Sequence, residues 1–174
     1  MTAFNRSDAF FSKSRPAPEK PAKLWFSRNN SSAAMSDEEA FLAILIGAAR
    51  ADGIVTPEEE QELAALTTRT KLFAKQPPHR ISELRRQIDE KISRDGLSNV
   101  LGAASASILN GKGRPDLIHM KAESVFAHAV DLVFADRKVA DNERDYIEEL
   151  ARQLHIDASR GKQIVSVIET KNAF

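Results

Sequence analysis

One pattern occurs twice in this chain of 174 residues, and it constrains the fold more than any other feature. Residues 51–66 read ADGIVTPEEEQELAAL, and residues 135–150 read ADRKVADNERDYIEEL. Shifted by 84 positions, Ala51, Asp52, Val55, Glu59 and Leu66 fall on Ala135, Asp136, Val139, Glu143 and Leu150, and Leu63 meets Ile147. Each copy follows an apolar helical stretch and opens another helix. Each therefore marks a helix–turn–helix hairpin with acidic residues at its bend.

From Ser36 onward every long segment has helical spacing, and none alternates with the period of two that a strand requires. Ser36 followed by Glu39 is a capping box, with Phe41, Leu42, Leu45, Ile46 and Ala49 on one apolar face. That helix is expected to end near Asp52-Gly53, where glycine suits a left-handed terminal position. Thr56-Pro57-Glu58-Glu59 then opens a second helix with a cap, a proline in the first turn and a closing glutamate. Pro77-Pro78 precedes a third, Asp95-Gly96 stops it, and residues 97–109 form a fourth of small and aliphatic side chains. Pro115 starts a fifth running to about Ala135, followed by a sixth over about 141–154 and a seventh over about 158–170. The fold class is all-α: a compact bundle of about seven helices in which the two repeated hairpins pack together. Leu45, Ile46, Leu63, Leu66, Ile88, Val130, Val133, Ile147 and Leu150 are its expected core.

Two domains follow: an arm over residues 1–34 and a helical body over 35–174. The arm holds three of the seven prolines in RPAPEKP, a polar NNSS stretch and no helical periodicity. Residues 1–22 are expected to be mobile, with one docking segment at Leu24–Phe26. Its Phe4, Phe10, Phe11, Trp25 and Phe26 interleave with lysines and arginines, a mixture suited to a membrane surface or a protein partner.

The formal net charge of zero hides a segregation. Residues 36–68 carry eight acids against Arg50 alone, and residues 69–94 carry eight bases against three acids. The bland account is two surfaces attracting each other within the fold; the alternative is separate faces for partners. The basic helix is interrupted by Glu83, Asp89 and Glu90, which argues against nucleic acid. With no cysteine, disulfides, thiolate metal sites and cysteine nucleophiles are excluded. No apolar run reaches the roughly 18 residues of a membrane span, and a cytoplasmic protein is the expectation, with membrane association only through the arm.

The duplicated A-D-x-x-V-x-x-x-E-x-x-x-hydrophobic hairpin, in a seven-helix body, resembles the TerB-like family of tellurite-resistance proteins. The resemblance covers residues 36–174. It implies a bacterial binding or metal-sensing module of a stress response to tellurite and other oxyanions, not an enzyme. It also extends to an all-helical module of membrane-anchored co-chaperones, so the alternative function is a membrane-proximal adaptor. The second copy departs from the family form at Arg137, where glycine is expected.

Asp52, Glu59, Asp136 and Glu143 are the candidate site residues. In one reading they only cap: the aspartates bond backbone N–H groups in the bends and the glutamates reach back to helix N-termini. Ala140 stands where Thr56 caps the first copy, yet Glu143 keeps its place, and a cap at Asp141 would leave it outside the box. In the other reading the four carboxylates converge on a divalent cation. Asp52, Gly53, Val55 and Glu59 mimic positions 5, 6, 8 and 12 of an EF-hand loop, but Ala48 and Arg50 occupy positions 1 and 3, so an EF-hand is rejected. An oxygen-only ligand set favours Ca²⁺, Mg²⁺ or Mn²⁺.

Overall fold

The computed structural model describes residues 10–11, 25–26, 34–53, 55–135 and 139–173. Among them are seven helices and no strand: α1 (Asp37–Ala49), α2 (Pro57–Arg69), α3 (Pro78–Asp95), α4 (Leu97–Leu109), α5 (Pro115–Val133), α6 (Asp141–Gln153) and α7 (Ala158–Lys171). The expected boundaries hold within two residues, because their causes are local, except at the end of α1, which stops at Ala49 rather than at Asp52-Gly53. Ser36 and Glu39 complete a reciprocal box at α1, and Thr56 and Glu59 another at α2. Gly96, at φ 81°, separates α3 from α4 with a backbone that a β-carbon would strain.

α1 differs from its expected single apolar face. Every residue from Ala40 to Ala49 is buried, so the helix is covered on all sides. The sequence AFLAILIGAA carries no charge, and a helix that is apolar all round belongs in an interior. It packs against α2, α3, α4, α5 and α6. The approach of α4 and α6 depends on Gly47. A β-carbon there would stand 2.7 Å from Leu101 Cδ2 and 2.7 Å from Tyr146 Oη. Through that gap the fully buried Tyr146 hydroxyl donates to the Ile44 carbonyl at 2.7 Å. All nine expected core residues are buried.

The charge segregation resolves within the fold. Arg85 of α3 grips Glu60 of α2 with both guanidinium nitrogens, Arg50 bonds Asp89 at 2.8 Å, and Lys91 reaches Glu39 at 2.6 Å. Arg86 lies between Glu83 and Glu90 on its own helix. The acidic first hairpin and the basic third helix are thus facing surfaces of one body.

Much of the expected arm, residues 1–34, lies outside the described residues. Where it is described it is seated in the body at two places rather than one. Trp25 and Phe26 pack on Tyr146 with centroids 5.5 and 5.7 Å away, and Phe10 is fully buried 6.1 Å from the Phe134 ring. The mobility expected for residues 1–22 therefore fails at Phe10, whose ring belongs to the core.

Candidate functional site

The two bends lie between α1 and α2 and between α5 and α6, and the glutamates that follow them meet. Glu59 is 3% exposed and Glu143 is 4% exposed. Each carboxyl turns back to its own helix start: Glu59 Oε2 accepts from the Thr56 amide at 2.8 Å, and Glu143 Oε2 accepts from the Ala140 amide at 2.7 Å. The first box is reciprocal, since Thr56 Oγ1 accepts from the Glu59 amide at 3.2 Å. The second is half a box, because alanine has no oxygen to offer. Ala140 nevertheless holds the N-cap position, and Asp141 is the first helical residue. The alternative cap at Asp141 is therefore not used. Glu143 keeps its place because its half of the box remains.

Capping does not exhaust the arrangement. The Glu59 and Glu143 side chains also hydrogen-bond each other, across 84 positions of sequence. Burial pushes the Glu59 carboxyl above its usual range, and the nearby Asp52 charge adds to this; hydrogen bonds from Thr56 and Glu143 act against it. Two carboxyl groups placed together in this way repel when both are ionised, so the contact favours a shared proton. Asp52 is half-buried at the first bend. Asp136, its counterpart, lies outside the described residues. Among the described residues no group of three or more His, Cys, Asp or Glu is arranged to hold a metal ion. The structure thus brings together three of the four sequence candidates, with Glu59 and Glu143 in direct contact.

Comparison with known families gives a direct match: the model of "Tellurite resistance protein TerB" aligns with residues 38–165, well over half of the chain. The chain belongs to the TerB family. No curated protein and no solved structure matches it. In this TerB chain the match begins inside α1 and ends inside α7, so it takes in both hairpins and leaves the arm outside. No helix among the described residues is long and apolar enough to cross a membrane.

One carboxylate of this TerB body escaped the sequence reading. Asp131, one turn before the second bend, is 9% exposed and accepts from both Lys171 and Asn172, which fastens the end of α7 to α5. Its signal was present: a lone acid inside the apolar run AVDLVF. His119 and Glu123, by contrast, form a surface pair at 3.3 Å.

Proposed function

We propose that this TerB chain is a non-enzymatic, cytoplasmic binding module of a tellurite-resistance or related stress response, and that the junction of its two repeats is the ligand-responsive point. The ligand is a divalent cation, Ca²⁺, Mg²⁺ or Mn²⁺, taken by Glu59 and Glu143 with Asp52 as a neighbouring acid; Asp136, the counterpart of Asp52 in the repeat, completes the proposed set from outside the described residues. The observation that carries this reading is the contact between the two buried carboxyl groups. A dication between them would do what a shared proton does at lower pH, and it would do so at neutral pH. Most other acids of the first hairpin have basic partners already: Asp37 has Lys121, Glu39 has Lys91, Glu60 has Arg85 and Glu62 has Arg69. A cation at the junction ties α2 to α6 and sets the relative position of the two hairpins, which is the surface a protein partner would read. The membrane-proximal adaptor reading has less support, because Phe10, Trp25 and Phe26 are buried against the helical body rather than presented to a membrane.

The test is a thermal melt of chelator-treated full-length protein against Ca²⁺, Mg²⁺ and Mn²⁺ in turn. A saturable rise in midpoint is expected for at least one ion, following RT ln(1 + [L]/Kd). The variant Glu59→Gln/Glu143→Gln keeps the shape and the caps and should lose the response. An unchanged wild-type midpoint up to millimolar ion, or an equal rise in the variant, refutes cation binding at the junction.

A further inference from the structure

The Phe10–Phe11 pair is held by features that recognise a peptide, in a place the helical body offers by itself. Phe10 is fully buried; its ring lies against Phe134 at the end of α5, and the Arg144 guanidinium of α6 sits over it, 5.4 Å from the centroid. Arg144 Nε has no hydrogen-bond partner among the described residues. The Phe11 amide donates to Glu148 Oε1 of α6 at 3.1 Å. The Phe11 ring enters a notch in α7 made by Gly161. A β-carbon at that position would stand 2.7 Å from Phe11 Cζ and 3.0 Å from Cε2.

Two further facts separate this contact from ordinary core packing. Phe11 has φ 57°, a left-handed backbone that a bulky residue adopts only when its surroundings hold it there. Gly161 lies inside a helix, where glycine is less favourable than alanine by ~1 kcal/mol, and its compensation is the space given to Phe11. Residues 12–24, with three prolines, connect the pair to Trp25. The helices α5, α6 and α7 supply every group of the pocket from within the family-matched body or its last helix.

We propose that the notch between α6 and α7 is a recognition site for a protein segment carrying two consecutive aromatic residues, filled in the free protein by the chain's own Phe10–Phe11. Arg144 reads the first ring, Gly161 admits the second, and Glu148 fixes the direction of the backbone between them. A partner segment with the same chemistry enters as the arm leaves. Because the resident pair belongs to the same chain, a free peptide competes with it and binds the wild-type chain more weakly than a chain lacking the pair.

The probe is a fluorescent peptide copying residues 6–15, titrated against full-length chains by anisotropy. Saturable binding is expected for Phe10→Ala/Phe11→Ala, weaker binding for wild type, and loss when Gly161→Ala is added to the double variant. A folded double variant that shows no saturable binding up to ~1 mM overturns the proposal. So does binding that is indifferent to Gly161→Ala. If the double variant does not fold, amide exchange in the wild-type chain decides. The Phe11 amide must exchange by local opening, far faster than the buried α1 amides; exchange at the same rate as α1 makes the pair an inseparable part of the core and overturns the proposal.

Discussion

Replacing Glu59 by glutamine should stabilise the protein at neutral pH, although the residue is buried and completes a cap. The glutamine carbonyl keeps an acceptor for the Thr56 amide, and its NH₂ gives Glu143 a donor. A contact between two acids then becomes a neutral amide–carboxylate hydrogen bond, a type that contributes ~0.5–1.5 kcal/mol. Burial, with the Asp52 charge behind it, raises the Glu59 carboxyl above its ordinary value of 4.5. The folded state therefore holds this proton to higher pH than the unfolded chain does. Stability linked to it is fully present below about pH 4.5 and is lost as pH rises through the raised folded value. Glu59→Gln removes that loss. It should match wild type near pH 4 and exceed it by ~0.5–1.5 kcal/mol at pH 7.5, which is roughly 2–6 °C in midpoint for a chain of this size. Glu59→Ala, which empties the box as well, should cost ~0.5–2 kcal/mol at both pH values. Urea denaturation in the presence of chelator at the two pH values measures all of this. If glutamine proves as damaging as alanine at pH 7.5, or if the wild-type difference does not change with pH, the two carboxyl groups do not repel in the folded state and the reasoning fails.

Leu45→Ala and Leu150→Ala should each cost ~2–5 kcal/mol in urea denaturation, since both side chains are fully buried; a loss below about half a kilocalorie at both would mean the core is misassigned. Ala140→Ser supplies the oxygen missing from the second cap and should add ~0.5–1 kcal/mol, whereas Thr56→Ala should remove ~0.5–2 kcal/mol; equal and negligible shifts in the melts would show that neither cap matters. Gly47→Ala should destabilise by ~1–3 kcal/mol through overpacking, and less so in a Tyr146→Phe background, because the hydroxyl is one of the two atoms in the way. A double-mutant cycle that is strictly additive would remove Tyr146 from that account.

The helices were legible because their ends are written in local chemistry. Ser36 with Glu39, Thr56 with Pro57 and Glu59, and Gly96 act within four residues of themselves, and no distant contact overrides them. The repeat likewise pointed to Glu59 and Glu143. Convergence of the bends was one of two readings left open, because the meeting depends on how the helices lean on the buried α1, where Gly47 and Tyr146 set the close approach of α6. The seat of Phe10 was illegible for a related reason. Phe10 and Phe11 fall in the stretch read as mobile because proline and charge follow them, while their partners Arg144 and Gly161 look like ordinary helix surface until α6 and α7 are side by side.

The buried Ala40–Ala49 run of α1 also sets a problem of timing for the ribosome. Its cover includes α4 and α5, and α5 ends at Val133, 84 residues after α1 ends at Ala49. At synthesis rates of about 5–20 residues per second, an uncharged run from Ala40 to Ala49 waits roughly 4–17 s for those helices to be made. During that interval α2 and α3 are made first, and α4, ending at Leu109, joins them before α5 is complete. The nascent chain should therefore be at its most aggregation-prone midway through translation, and chaperone capture should peak there and fall once α5 has emerged.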